Sequence, residues 1–176
     1  MKINTHIKLS IGLLAVLFFF ISSCGSPKKD WKFTKADVSF TGPGDWKITD
    51  KDNLDGAGYY VSIEKTGLES SGLYVLTWVN QILDSQEYLE ELQDGFESRK
   101  ELENVVFETV RNTDYNGIPA ISSNFSFTLL DLEHKGTIYV FSKSNKTYSI
   151  TEHGATEDEL ENQDGFQLIE STFIIR

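Results

Sequence analysis

Two tight-turn signals in the second half of the chain predict an antiparallel sheet. Asn116 and Gly117 both tolerate positive φ, which a two-residue hairpin turn requires at both of its positions. Residues 118–130, which follow this turn, alternate mostly apolar with mostly polar side chains and therefore predict a strand with one buried face. Residues 105–112 precede the turn and are predicted to be its partner strand.

A second hairpin is predicted from residues 135–142 and 146–153, joined near Ser144 and Asn145. The register that follows places four large side chains on one face, with Tyr139 opposite Ile150 and Phe141 opposite Tyr148. Further strands are predicted where β-branched and aromatic residues are frequent, at residues 31–40, 46–48, 58–65 and 73–79.

Two segments instead repeat apolar residues at helical spacing. The first, residues 84–102, has Asp84 or Ser85 as its N-cap, and the second begins at a capping box formed by Thr156 and Glu159. Their apolar stripes are Leu89, Leu92 and Phe96 in the first helix, and Phe166, Ile169 and Phe173 in the second. The sequence thus predicts an α+β fold, in which an antiparallel β-sheet of about six strands is flanked by two main helices.

The N-terminal residues have the pattern of a bacterial lipoprotein signal. Two lysines precede the apolar run 11–21, which is too short to span a bilayer, and small residues precede Cys24, the single cysteine. We expect cleavage between Ser23 and Cys24, followed by lipidation of Cys24 through its sulfur. The predicted organisation is therefore a signal peptide at 1–23, a lipidated tether at 24–30 and a single domain at 31–176. With Cys24 lipidated, disulfides, zinc–thiolate sites and cysteine catalysis are excluded within one chain.

The charge of the chain excludes one class of partner. Removing Lys2 and Lys8 with the leader changes the formal net charge from −11 to −13. A nucleic-acid-binding domain needs a basic surface to neutralise phosphates, so we predict no nucleic-acid partner. An acidic domain also adsorbs poorly to anionic lipid, so membrane attachment is expected through the lipid on Cys24.

Several short motifs occur along the domain in a characteristic order. They are Phe-Thr-Gly-Pro-Gly-Asp-Trp at residues 40–46, Asn-Gly-Ile-Pro-Ala at 116–120, Lys-Thr-Tyr-Ser-Ile at 146–150, and Phe166, Ile169 and Ser-Thr-Phe at 171–173. In this order they resemble the PsbP-like (Mog/PsbP) family, whose fold is an α/β/α sandwich. The resemblance implies a non-enzymatic binding or assembly module, as in photosystem-associated lumenal proteins and small bacterial envelope lipoproteins. It assigns no partner-binding residue.

The two histidines outside the leader are the best candidates for a metal site. In the predicted register Gly136 faces His153, so His134 and His153 become diagonal neighbours about 7–8 Å apart on one face. The adjacent acids, Glu133 and Glu152, point to the opposite face because strand side chains alternate. We therefore predict solvated histidines at the strand ends and no metal site.

Other candidate sites are weak. The acidic stretch 50–56 would place Lys51 and Ser62 where a calcium-binding EF-hand loop requires acids, so it is predicted to be a polar loop. Trp31, Trp46 and Trp78 could line an aromatic groove for a peptide or apolar ligand, but core packing explains them better. Local catalytic motifs are missing, so we predict no catalytic residue and no cofactor.

The sequence predicts a lipoprotein held by Cys24 in the outer membrane, with its domain facing the periplasm. The acidic domain is expected to bind an envelope protein partner without catalysing a reaction. A carrier of a small apolar ligand and a hydrolase are the alternatives. An apolar cavity would favour the carrier, and convergent polar residues in a cleft would favour the hydrolase.

Overall fold

The computed structural model describes residues 28–67 and 70–176. The predicted leader, its cleavage site at Ser23 and the lipidation site at Cys24 lie outside these residues. The first half contains β1 (Trp31–Lys35), β2 (Val38–Gly42), β3 (Trp46–Asn53), β4 (Gly58–Lys65), β5 (Leu73–Val79), α1 (Ser85–Glu97) and β6 (Glu103–Phe107). The second half contains β7 (Arg111–Tyr115), β8 (Ile118–Leu129), β9 (Leu132–Lys143), β10 (Lys146–Ala155), a 3₁₀ turn (Thr156–Asp158), α2 (Glu159–Thr172) and β11 (Ile174–Ile175).

The strands form two antiparallel sheets. The larger has the order β3-β4-β5-β10-β9-β8-β6, with β7 also pairing to β8, and the smaller has the order β1-β2-β11. The α+β class is confirmed, but the described residues hold more than the six strands expected. One reason is that residues 31–40 form a hairpin rather than one strand, turning at Ala36, which has a positive φ of 52°. Alanine is not a usual residue at such a turn, so the sequence did not indicate it.

The register predicted for the second hairpin is confirmed, and the first hairpin turns at Asn116 and Gly117 as predicted. The predicted partner strand 105–112 is wrong, because β6 ends at Phe107 and β7 (Arg111–Tyr115) is the strand that leads into this turn, with both pairing to β8. Asn116 and Gly117 both have positive φ, as do Ser144 and Asn145. Tyr139 pairs with Ile150, and Phe141 with Tyr148. The turn between β8 and β9 differs from both, because its positive-φ residues are Leu130 and Asp131. A branched side chain in this conformation costs on the order of 1 kcal/mol, and Leu130 is 86% exposed, so burial does not offset that cost.

Helix α1 covers one face of the larger sheet. It begins as predicted, because the Asp84 carboxylate accepts hydrogen bonds from the backbone N–H groups of Gln86 (2.9 Å) and Glu87 (3.0 Å). It ends at Glu97, five residues before the predicted end. The buried core beneath it comprises Leu89, Phe125, Phe127, Ile138 and Val140.

Helix α2 and the smaller sheet cover the opposite face. Their core is aromatic and includes Phe40, Tyr74, Tyr115, Phe141, Tyr148 and Phe173. Trp46 and Trp78 are buried in this core. The half-buried Trp31 donates its indole N–H to the carbonyls of Pro43 and Trp46, both at 2.9 Å. The tryptophans are thus structural, as the sequence favoured.

The start of α2 differs from the predicted capping box. Thr156 begins the 3₁₀ turn, and no side chain caps either the turn or α2. Ser71 fixes this turn instead, donating to the Asp158 carboxylate (2.6 Å) and accepting from the Ala155 N–H (2.7 Å). A residue 87 positions away therefore sets the start of α2, which local spacing does not reveal.

The acidic stretch 50–56 is also not entirely a loop. Residues 50–53 belong to β3, and the turn follows at Asp55 and Gly56, which have positive φ. Asp50 accepts a hydrogen bond from Tyr60 of β4. Pairing with β4 holds these residues extended in spite of their polarity.

The chain enters the described domain at the same end of the larger sheet where α2 begins. Lys28 donates its Nζ to the Thr66 hydroxyl (2.9 Å), just beyond the end of β4. The neighbouring Lys65 forms an ion pair with Glu161 in the first turn of α2, at 3.1 Å. No helix in the described ranges is long and apolar enough to cross a membrane.

Candidate binding cleft

A cleft of about 630 Å³ lies between α2 and the sheet. Its walls are the 3₁₀ turn, one side of α2, and the ends of β8, β9 and β10 that lie nearest to the start of α2. Most of the residues that line it are polar or charged. We call this space the α2 cleft.

The alternation of the strands explains why the cleft is polar. On the face toward α2, β10 presents Tyr148 and Ile150 to the aromatic core and then Glu152 to the cleft. Likewise β9 presents Phe141 to the core and Thr137 to the cleft. Along both strands, the side chains that face α2 therefore belong to the core at one end and line the cleft at the other.

The side of α2 that faces the sheet is likewise apolar toward its C-terminal end and polar near its start. Ile169 of its apolar stripe is buried in the core, but Asn162, seven residues earlier on the same stripe, is only 1% exposed. Asn162 can pack this closely against β10 because residue 154 is glycine: a Cβ on Gly154 would lie 2.3 Å from the Asn162 amide nitrogen. The first half of α2 thus brings a buried amide, rather than an apolar side chain, to the sheet.

Three residues that line the cleft have buried polar atoms without a hydrogen-bond partner in the described part of the chain. These atoms are Glu152 Oε2, Thr156 Oγ1, and both Asn162 Oδ1 and Nδ2. An unpaired buried polar group typically costs about 1–3 kcal/mol, and native proteins contain few of them. Of the six such atoms in the described part of the chain, four lie along this cleft and the other two are the Nδ1 atoms of His134 and His153. The grouping of four in one space indicates a site for a polar ligand.

Glu152 has the most perturbed carboxyl group of the cleft. Burial, reinforced by the negative charge of Glu170 on α2, raises the pKa of Glu152 to about 7. The Tyr139 hydroxyl donates to Glu152 Oε1 at 3.4 Å, which opposes this increase in pKa. Glu152 therefore exchanges a proton near neutral pH, and its affinity for that proton depends on what else occupies the cleft.

The side-chain amide of Asn124, which also lines the cleft, is in contrast hydrogen-bonded through both its oxygen and its nitrogen. Asn124 accepts hydrogen bonds from Arg111 (2.9 Å) and Thr137 (3.1 Å) through its Oδ1. Its Nδ2 donates to Glu108 at 2.8 Å. These contacts fix Asn124, whereas the unpaired groups of Glu152, Thr156 and Asn162 remain available to a ligand.

The two histidines lie on the other face of the sheet and do not contribute to the cleft. They are neighbours as predicted, with ring centroids 5.7 Å apart, but the expectation that they are solvated is wrong. His134 is buried and stacks on Phe127 at 4.9 Å, and Phe127 also contacts His153. Burial and the neighbouring His134 lower the pKa of His153 to about 3. Among the described residues, no group of three or more His, Cys, Asp or Glu could hold a metal ion.

The α2 cleft was not predicted from the sequence, although two residues of the chain indicate it. Glu152 continues the inward-facing series of Tyr148 and Ile150, so a carboxylate stands where the pattern predicts an apolar residue. Asn162 likewise occupies a position on the apolar stripe of α2. Both are polar residues at buried positions, which is unusual unless they are paired or functional.

The fold is similar to solved structures, although the sequence matches no protein-family model and no curated protein. Cyanobacterial PsbP (CyanoP) from Synechocystis sp. PCC 6803 superposes with a TM-score of 0.59 at 12% identity, covering 88% of this chain and 96% of that one. LpqN from Mycobacterium tuberculosis, described as involved in cell envelope biogenesis, gives a TM-score of 0.51 at 11% identity, covering 86% and 87%. The chain therefore has the PsbP-like fold that its motifs resemble.

Proposed function

We propose that the protein is an envelope lipoprotein, anchored through Cys24, whose domain binds a small polar ligand in the α2 cleft without chemically changing it. Two similarities support a role in the cell envelope. The leader resembles a lipoprotein signal, and the fold is similar to that of LpqN, which is described as involved in cell envelope biogenesis. The outer membrane, with the domain facing the periplasm, is the proposed location.

The observation that carries the binding function is the set of unpaired buried atoms in the cleft. Glu152, Thr156 and Asn162 come from β10, the 3₁₀ turn and α2, yet all three line one space. A ligand with both donors and acceptors would pair these atoms and remove the cost of leaving them unpaired. A wholly apolar ligand would leave them unpaired, so this cleft suits the apolar-carrier alternative poorly.

Native mass spectrometry of the full-length protein, released from membranes in detergent, tests this function. We expect an additional small mass that disappears on denaturation. Ser126→Trp, which fills part of the cleft wall, should abolish the added mass. Thr128→Trp lies on the same face of β8 but outside the cleft lining and should retain it. Equal occupancy in the two variants, or no bound molecule in the parent protein, would contradict the proposal.

The anchor requires a separate experiment. Replacing Cys24 with Ser should eliminate the acyl mass on the mature N-terminus and release the protein from the membrane fraction. Unchanged membrane attachment would contradict the lipoprotein assignment. Crosslinking in intact cells, followed by mass spectrometry, tests the proposed envelope protein partner.

A hydrolase is the second candidate function, and one observation favours it. A buried carboxyl group with a pKa of about 7, such as that of Glu152, can act as a general acid near neutral pH. The two functions differ in the fate of the ligand. A binding protein returns the molecule intact after prolonged incubation, whereas a hydrolase returns it cleaved and loses this ability in Glu152→Gln.

A further inference from the structure

The charges around the α2 cleft are strongly unbalanced. Its lining contains four acidic residues, Glu108, Glu152, Glu159 and Glu170, but only one basic residue, Lys135. The Lys135 side chain is 53% exposed, and its Nζ lies 3.9 Å from Oε1 of Glu133, a residue that does not line the cleft. The deep part of the cleft is therefore acidic.

The central pair of acids has no cationic partner within the described ranges. The ion pairs found there join Lys65 to Glu161, Lys135 to Glu133 and Lys146 to Asp37. Glu152 on β10 and Glu170 on α2 both line the cleft, and the negative charge of Glu170 disfavours ionisation of Glu152. Either a proton on Glu152 or a bound cation relieves this repulsion.

The unpaired neutral groups show which kind of cation fits. Asn162 offers one acceptor and two donor hydrogens, and Thr156 offers a hydroxyl. A bare metal ion has no acceptor for the Asn162 amide hydrogens, and among the described residues no group of three or more His, Cys, Asp or Glu could hold one. An ammonium group has three donors for carboxylate and amide oxygens, and hydroxyl groups beside it could accept from Asn162 and Thr156.

We propose that the α2 cleft binds a small hydroxylated amine, with its ammonium group between Glu152 and Glu170 and its hydroxyl groups on Asn162 and Thr156. This inference rests on the proposed binding function and specifies the chemical class of the ligand. Half-buried Phe166, which also lines the cleft, provides an aromatic surface that a cation tolerates.

Binding of such an amine should release protons. Glu108, Glu159 and Glu170, Lys135 and the Tyr139 hydroxyl surround Glu152 from the other walls, and none of them supplies a buried positive charge. The pKa of Glu152, about 7 in the free protein, would fall when an ammonium group binds beside it. At pH 7 binding should therefore release up to about half a proton per ligand.

Calorimetric titration of the full-length protein at pH 7 with D-glucamine and with sorbitol tests the ligand class. The two probes share a polyol chain, and only glucamine carries an amine. We expect glucamine to bind at least about tenfold more tightly than sorbitol. In buffers with different ionisation enthalpies, the measured heat should reveal the released protons.

Two variants test the residues involved. Glu152→Gln should weaken glucamine binding by about tenfold or more and eliminate the proton release. Glu157→Gln removes an exposed acid of the 3₁₀ turn outside the cleft lining and should change neither. Thermal unfolding of each variant confirms that it is folded.

The outcomes separate this inference from the proposed function. Equal affinity for the two probes, or no glucamine binding at about 10 mM, overturns the amine class. If native mass spectrometry still shows a bound molecule in that case, the cleft binds a ligand of another class. Glucamine binding that survives in Glu152→Gln with its proton release intact overturns the placement of the ammonium group.

Discussion

The two faces of the larger sheet are covered by helices of similar length, yet only one face is sealed. On α1, Leu89, Leu92 and Phe96 form a continuous apolar stripe that packs over the sheet. On α2, the stripe is apolar only toward the C-terminal end, and Asn162 replaces an apolar residue near its start. Interruption of one helix stripe, together with Glu152 on the facing strand, thus leaves a polar cleft beside the aromatic core of the α2 face.

The two faces also respond to pH in opposite directions. On the α1 face, His153 has a pKa of about 3, below its usual value of 6.5, so the folded state resists its protonation. On the α2 face, Glu152 has a pKa of about 7, above its usual value of 4.5, so the folded state favours its protonation. Acid therefore destabilises the sealed face and relieves repulsion in the open one.

The largest expected effect concerns packing under α1. Leu89→Ala should lower the free energy of unfolding by about 2–5 kcal/mol, because Leu89 is fully buried. The matched control is Leu160→Ala on α2, where the side chain is 82% exposed and the loss should be below about 0.5 kcal/mol. Urea unfolding measures both variants. Similar losses would show that α1 does not seal its face as described.

The second prediction concerns how the free energy of unfolding falls as the pH is lowered below 7. Because the pKa of His153 is lower in the folded state, its contribution is complete above pH 6.5 and is lost as the pH falls from 6.5 toward 3. This residue should lower the free energy of unfolding by about 2–3 kcal/mol between pH 7 and pH 4.5. His153→Gln should remove that part of the dependence. If the free energy of unfolding of the variant fell with pH as in the parent protein, a group other than His153 would be responsible.

The third prediction concerns stability near neutral pH, where Glu152 lowers the free energy of unfolding as the pH rises. Because the pKa of Glu152 is higher in the folded state, ionisation opposes folding as the pH rises from 4.5 to 7, and the penalty is fully present above pH 7. Glu152→Gln should therefore raise the free energy of unfolding by about 1–2 kcal/mol at pH 8 and have little effect at pH 4. Chemical denaturation at both pH values measures this difference, and destabilisation at pH 8 would contradict it.

The smallest expected effect is at the turn that joins β8 and β9, which belongs to neither face. Leu130→Asn should increase the free energy of unfolding by about 0.5–1 kcal/mol, because asparagine tolerates the positive φ of this position better than leucine. The increase should be the same at pH 8 and pH 4.5, since no titratable group changes. Loss of stability would show that the exposed Leu130 makes a contact that offsets its backbone conformation.

Sequence patterns predicted the elements that depend on local chemistry. Asn116 with Gly117 and Ser144 with Asn145 predicted both hairpin turns, and the second hairpin also in its register, because tight turns fix the pairing of their strands. The hairpin at Ala36 was missed because its turn residue is atypical. Helix α2 was predicted with the wrong cap because Ser71, distant in sequence, sets its start.

The candidate site was harder to predict than the fold. Its central residues come from β10, the 3₁₀ turn and α2, and only the packing of α2 on the sheet brings them together. The burial of His134 and His153 was missed for a similar reason, since it depends on Phe127 of the adjacent strand. Lipidation of Cys24 stays a prediction.

The contact between Lys28 and Thr66 has a consequence for how a ligand would reach the α2 cleft. It places the entry of the chain at the end of the sheet where α2 and the cleft begin. The four residues from Cys24 to Pro27 span at most about 14 Å, so a lipid on Cys24 would hold this end close to the headgroup layer. A solute that accumulates in that thin layer would meet the cleft at a far higher local concentration than in the surrounding solution.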